Sequence, residues 1–362
     1  MTSTTIACFI TPHGFGHATR ASAVIAAVQR RDPAVRFELF TSAPRWLFEQ
    51  SLDQPFGYHE LAADIGLAQR NSLHEDIPET VRRLDAFLPF RPAHVEALAR
   101  QVNALGCAMV LCDIAPLGIA VAQAAGLPSV LVENFTWDWI YEGYAECAPV
   151  LRPHIETLRA VFASADRHVQ TEPVCAYTRS DLLTAPVCRS LRLAPNQVRE
   201  KLDIPASAPV VLITMGGLSS TDQHAFFDQL AAWPQYRFVI PGGDTAATAG
   251  NVLRLPNHSA FYHPDIMRAA DAVVGKTGYS TVAEAYHAGL PYGYVSRPRF
   301  RESGVMERYI QAHMRGIAFG EEEFRSGAWL KRLPDLLALG RMARDAPNGA
   351  EQIADFLLSL RQ

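Results

Sequence analysis

The sequence predicts an α/β protein of two domains, each built on a parallel sheet. Three observations predict it. From residue 6 onward, short apolar runs alternate with helix-length amphipathic segments, a βαβ grammar that implies right-handed crossovers in a parallel sheet. A second series of the same kind begins near residue 210. Between the two, five prolines (Pro173, Pro186, Pro195, Pro205 and Pro209) interrupt the pattern where few long apolar runs occur. At 362 residues the chain has room for two ordinary cores. The expected domains are residues 1–188 and 189–345, followed by a C-terminal segment, 346–362.

Residues 6–10 are a continuous apolar run, as in a strand buried on both faces. Residues 11–16 are a Gly- and Pro-containing turn, and a helix follows with Ala21, Val24, Ile25 and Val28 on one face. Residues 37–41 read as the next strand, 61–75 as irregular and polar, and 79–105 as helical with breaks at Pro89 and Pro92. Residues 109–113 are a strand ending in Asp113, 119–125 a helix stopped by Gly126 and Pro128, and 129–132 another strand. Residues 168–171 are expected to be the last strand of the first half. In the second half, strands are expected at 210–213, 238–240, 252–255, 272–274 and 293–295, with 241–243 a turn and 351–360 an amphipathic helix.

Composition narrows the class without naming a chemistry. Hydrophobic residues make up 49% and charged residues 19%, as in a water-soluble globular protein. The net charge of −4 offers no basic field for nucleic acid. Six cysteines show no CxxC spacing, which fits reduced thiols in a cytoplasm. The first five residues carry no Lys or Arg, so no signal peptide is expected. No apolar run approaches the roughly 20 residues that span a bilayer.

Chemistry concentrates in two runs. In residues 273–291, an apolar strand end leads into Gly275-Lys276-Thr277-Gly278, then a helix start at Ser280 or Thr281 with Glu284 at capping-box spacing from Thr281. The helix stops at Gly289, with Pro291 beyond. Strand, glycine turn and helix N-terminus hold anions on backbone N–H groups and the helix dipole. Lys276 adds a positive charge, and Glu284 is placed to accept from ribose hydroxyls. The second run, His13-Gly14-Phe15-Gly16-His17-Ala18-Thr19-Arg20, puts two histidines at a helix mouth after the first strand, the ligand-binding edge of a parallel sheet. A dinucleotide fingerprint is excluded there because Arg20 stands near where the third glycine is required.

Both runs resemble those of GT-B glycosyltransferases, the MurG-like and UDP-glucuronosyltransferase-like groups. The resemblance implies the GT-B fold, two Rossmann-like domains facing each other across a cleft, with the C-terminal helix crossing back to the first. It implies a nucleotide sugar as donor substrate, UDP-sugar foremost, and no cofactor or metal. On the donor side it implies Gly216, Gly217, Lys276, Thr277, Gly278, Ser280, Thr281 and Glu284, with Phe261 near the base. Arg301 and Glu302 stand where relatives hold sugar hydroxyls with an acidic-Gln dyad, and Lys276 stands where His or Arg is common. On the acceptor side it implies Gly14 and Gly16, and the aromatic stretch after a strand end adds Asn134 and Trp137. His17 maps onto the base, with His13 as the alternative; Asp113 either orients the imidazole or caps the helix near Leu117.

A closer likeness joins the His13–Arg20 run, the Asn134–Tyr141 run and Asn348-Gly349-Ala350-Glu351 to the glycosyltransferase-like N-terminal region of L-arabinokinases. The kinase half, with its own phosphate loop, has no counterpart here, so a kinase is not expected. The expected activity is inverting transfer of a hexosyl or N-acetylhexosaminyl group to a hydroxyl acceptor, lipid-linked acceptors included. The expected location is the cytoplasm, with the inner membrane face as an option. The alternatives are a nucleotide-sugar hydrolase on the same fold and a non-catalytic nucleotide-sugar-binding protein.

Overall fold

The computed structural model describes residues 4–71, 73–214, 223–243 and 245–361. Fourteen strands form two sheets of seven among the described residues. The first holds β1 (Thr5–Ile10), β2 (Arg36–Phe40), β3 (Gly57–His59), β4 (Cys107–Asp113), β5 (Ser129–Glu133), β6 (Arg167–Thr171) and β7 (Leu182–Thr184). Their order is β3-β2-β1-β4-β5-β6-β7 and every pairing is parallel. The second holds β8 (Val210–Thr214), β9 (Arg237–Gly243), β10 (Ala247–Ala249), β11 (Val252–Pro256), β12 (Ala272–Lys276), β13 (Tyr292–Val295) and β14 (Gly316–Phe319). Their order is β10-β11-β9-β8-β12-β13-β14, parallel except for the β10–β11 edge pair.

The central strands are apolar on both faces because helices cover both sides; Ile6 through Ile10 are fully buried. In each sheet the order of the parallel strands reverses once. The reversals fall between β1 and β4 in the first sheet, and between β8 and β12 in the second. Open α/β sheets bind ligands outside the carboxyl ends of strands at such points. The run after β1 and Asp113 at the end of β4 flank the first; the run after β12 flanks the second.

The C-terminal helix Gly349–Ser359 packs on the helix Phe15–Arg31, which lies against the first sheet. Ile353, Ala354 and Leu357 are fully buried in that contact, and Arg31 pairs with Asp355 at its rim. No described helix is long and apolar enough to cross a membrane.

Four sequence expectations are corrected. Residues 168–171 are followed by one more strand, β7, a three-residue edge element too short for a periodic signal. Residues 241–243 continue β9 rather than turning, with a register shift opposite Pro256. Strand β12 runs on through Gly275 and Lys276, so the turn before the helix is only Thr277 and Gly278. Finally, that helix, Tyr279–Ala288, starts after Gly278 with no side-chain cap. Ser280 and Thr281 lie inside its first turn, and Glu284 is drawn to other partners instead of a capping box.

Candidate active site

The cleft between the two sheets encloses a cavity of about 480 Å³. Its first-sheet wall comes from residues 13–19, where Gly14, with φ of 69°, makes the left-handed turn that opens the helix Phe15–Arg31. Its second-sheet wall comes from the end of β12, the helix Tyr279–Ala288 and the loop after β13. The walls approach closely at Gly16, where a methyl group would stand 3.2 Å from Ser280 Oγ.

His17 Nδ1 lies 3.1 Å from Asp113 Oδ1. Arg20, one helical turn on, donates from Nε to Asp113 Oδ2 at 2.8 Å and from NH2 to Oδ1 at 2.6 Å. The carboxylate can only accept, and its contact with Nδ1 is shorter than the 3.3 Å approach of Arg20 NH2 to the same nitrogen. The ring hydrogen therefore sits on Nδ1, and the Nε2 lone pair is left to the cavity. Burial would raise the Asp113 carboxyl, but the Arg20 charge and hydrogen bonds outweigh it and hold Asp113 below its usual range. Asp113 is not the cap of the next helix, whose N-cap is Ala115. Ile114, immediately after it, has φ of 50°, a strained conformation for a β-branched residue at the strand end.

Arg20 extends the cluster across the cleft. It donates to Asn134 Oδ1 at 2.6 Å, and Asn134 Nδ2 donates to Glu302 Oε1 at 3.0 Å on the second-sheet side. Its guanidinium also lies 4.8 Å from the ring centroid of Tyr279. Arg20 is 2% exposed, and sequence reasoning assigned it no role. Its spacing of three from His17 on one helix was the available signal.

His13 is held differently. The Leu67 backbone N–H donates to His13 Nδ1 at 3.2 Å, so the lone pair of the neutral ring is taken and Nε2 carries the hydrogen. Burial, then the charges of His17, Arg297 and Lys276, hold its pKa well below the ordinary histidine value. His13 is therefore corrected as an alternative base: no basic nitrogen of its ring is free.

On the second-sheet side, Lys276, Gly278, Ser280, Thr281, Glu284 and Phe261 all line the cavity. The Lys276 ammonium has no hydrogen bond or ion pair among the described residues, while its backbone carbonyl accepts from Tyr292 Oη at 2.7 Å. Burial first, and then Arg297, lower it to about 8. Glu284 is buried, with Oε1 accepting from Arg189 Nε at 3.0 Å and NH2 at 2.9 Å, and Oε2 2.8 Å from His263 Nδ1. Burial acts to raise it, but Arg189 and His263 prevail and set it at about 2. Arg189 belongs to the proline-rich connection between the sheets, where no sequence signal marked it.

Other expected residues sit away from the cavity. The Trp137 indole is 1% exposed and donates to Asp64 Oδ2 at 2.9 Å, while its ring meets His13 edge-on at 4.9 Å; it supports His13 and does not line the acceptor side. Asn134 is fully buried between Arg20 and Glu302, a link in the cluster and not a cavity wall. Thr277 is fully buried. Arg301 turns toward the first half, its guanidinium 4.1 Å from the Trp139 ring and donating to Trp139 O at 2.7 Å, so it does not line the cavity. Glu302 does line the cavity, together with Arg297, which stacks on Phe300 at 3.8 Å and whose buried Nε lacks a partner among the described residues. Gly216 and Gly217 lie outside the described residues.

The sequence model described as glycosyl transferase family 1 matches residues 6–334. L-arabinokinase of Arabidopsis thaliana is 26% identical over 97% of this chain, which spans 34% of that protein's length. Among solved structures, Medicago truncatula UGT71G1 complexed with UDP-glucose superposes with a TM-score of 0.59 at 12% identity, over 98% of this chain and 97% of that one. Acinetobacter baumannii MurG gives 0.56 at 15% identity, over 98% and 99%. These likenesses carry the GT-B fold expected from the sequence.

Proposed function

The chain belongs to glycosyl transferase family 1, and on that premise we propose an inverting, metal-independent glycosyltransferase that moves a hexosyl or N-acetylhexosaminyl group from a nucleotide sugar to a hydroxyl acceptor. UDP-sugar is the first choice of donor, as the similar UGT71G1 is complexed with UDP-glucose. The observation that carries the reading is the juxtaposition of two half-sites. His17, oriented by Asp113, stands on one wall, and an uncapped helix N-terminus with Lys276 stands on the other, in near contact at Gly16 and Ser280.

In this reading His17 Nε2 takes the acceptor hydroxyl proton while the hydroxyl oxygen attacks the anomeric carbon from the first-sheet side. The imidazolium is stabilised by Asp113, whose own charge Arg20 maintains. The leaving diphosphate departs toward the backbone N–H groups of Gly278 to Thr281, the helix dipole and Lys276. The working units are residues 1–188 and 189–345, with 346–362 fastening the second to the first, and closure of one on the other completes the site. A cytoplasmic location, at the inner membrane face if the acceptor is lipid-linked, belongs to the same proposal.

The test is a thermal-shift panel of UDP-, dTDP- and GDP-sugars on wild type and Lys276→Ala. A ligand bound only by the native state raises the melting temperature by mass action. Stabilisation of wild type by one nucleotide series, weakened in Lys276→Ala, is expected; no shift with any series overturns the donor assignment. Glu284→Ala is a poor probe because it strands Arg189. Release of free sugar with no acceptor present would reassign the protein as a hydrolase.

A further inference from the structure

The two histidines of the first loop differ in what their neighbours allow, and the proposed transfer uses only one. His17 keeps an open Nε2 lone pair because Asp113 takes its Nδ1 hydrogen. His13 has the opposite polarity because the Leu67 N–H occupies its Nδ1. Its Nε2–H has no partner among the described residues, and the ring lines the cavity.

This polarity is built by a dedicated excursion of the chain. After β3, Gly66 and Leu67 close on the histidine: Gly66, with φ of 56°, lies so close that a methyl group there would stand 2.6 Å from His13 Cβ. Asp64 accepts from Thr11 Oγ1 at 2.8 Å and from Trp137 Nε1 at 2.9 Å, which fixes the indole whose ring meets the His13 edge. Tyr141 Oη donates to Gly66 O and ties the loop to the same wall. The His13 ring could have been packed by any apolar residue. A backbone donor at Nδ1 has a specific consequence: it fixes the tautomer that presents Nε2–H as a neutral donor.

The position of His13 says what it faces. Its ring centroid lies 6.5 Å from His17 and 6.4 Å from Phe300, the residue on which Arg297 stacks. Glu302 lines the same cavity. The nucleotide end, with Glu284, Arg189 and Phe261, is built on other elements. A neutral donor between the base and the Arg297–Glu302 loop meets an uncharged oxygen at the reacting end of the donor.

We infer that His13 is a sugar-recognition residue whose Nε2–H donates to a hydroxyl or ring oxygen of the transferred sugar, with the 64–67 loop fixing its tautomer. This rests on the donor-site reading above. Titration calorimetry of wild type, His13→Phe and His13→Gln with UDP, UDP-glucose and UDP-N-acetylglucosamine tests it. Expected is an unchanged Kd for UDP in all three. The affinity gain of the preferred UDP-sugar over UDP should fall about tenfold in His13→Phe, the factor that 1.4 kcal/mol represents, and be largely kept in His13→Gln, whose amide can still donate. In wild type, long-range proton–nitrogen spectra at pH 7 should show the His13 ring neutral with the hydrogen on Nε2.

A UDP-sugar to UDP ratio unchanged in His13→Phe overturns the inference while leaving the donor site standing. A protonated Nδ1 overturns it independently of any ligand. Failure of wild type to bind UDP or either UDP-sugar removes the donor-site reading, and this contact with it.

Discussion

Arg20 grips both oxygens of Asp113 while standing one helical turn from His17, the residue Asp113 orients. One carboxylate thus serves an imidazole and a guanidinium, and both basic groups come from the same helix face. Removing the guanidinium strands a buried charge. Arg20→Leu is expected to lower unfolding free energy by about 3–5 kcal/mol, read by urea titration. A loss under about 1 kcal/mol would mean that Asp113 is satisfied without it.

The same pair fixes a pH dependence. Asp113 is held below its unfolded value of about 3.9. Its contribution is therefore present above pH ~4 and lost as pH falls through the folded pKa. In Arg20→Leu the effect of burial is no longer opposed by Arg20 and raises the carboxyl, so acid relieves the variant. The stability gap between wild type and Arg20→Leu should narrow from pH 7 to pH 4; a constant gap would contradict the pairing.

His17→Ala should reduce transfer by on the order of 10²–10⁴ and leave UDP affinity unchanged, because a general base acts on the acceptor proton. Loss of UDP binding with the same substitution would move His17 into the nucleotide site.

Lys276, lowered to about 8, releases a proton that the unfolded chain keeps until about 10.4. Between those values the unfolded state binds more protons, so this group makes stability rise with pH. A bound diphosphate favours the charged form and reverses the preference. UDP affinity should therefore fall above pH ~8 in wild type and change little there in Lys276→Met, as calorimetry across pH 7–10 would show.

The C-terminal helix tests packing against charge. Leu357 is fully buried, whereas the Arg31–Asp355 pair is open to solvent. Leu357→Ala should cost about 2–5 kcal/mol, and Asp355→Ala about 0–1 kcal/mol. Comparable losses in urea titrations would mean that the ionic rim fastens the helix.

Much of this arrangement was legible along the chain. Residues 6–10, 109–113 and 272–274 are short apolar runs followed by glycine turns or carboxylates, and a buried parallel strand writes that local pattern. Glycines after β1 and β12 mark backbone approach for the same local reason; Lys276 and Asp113 stand at strand ends, and His17 and Glu284 on the helices that follow β1 and β12. What spacing along the chain could not carry was pairing across distance. Arg189 meets Glu284 across 95 residues, and Leu67 meets His13 across 54. The capping box suggested by Thr281 and Glu284 gave way because a buried carboxylate gains more from a guanidinium than from a helix-mouth N–H. Trp137 and Arg301 looked ligand-facing by composition, yet an indole satisfied by Asp64 and a guanidinium stacked on Trp139 had better partners in the protein. Local sequence determined the strands, the turns and the chemical inventory. Tertiary packing decided which histidine keeps a lone pair, because a ring's tautomer is set by the donor or acceptor that the fold brings to its other nitrogen.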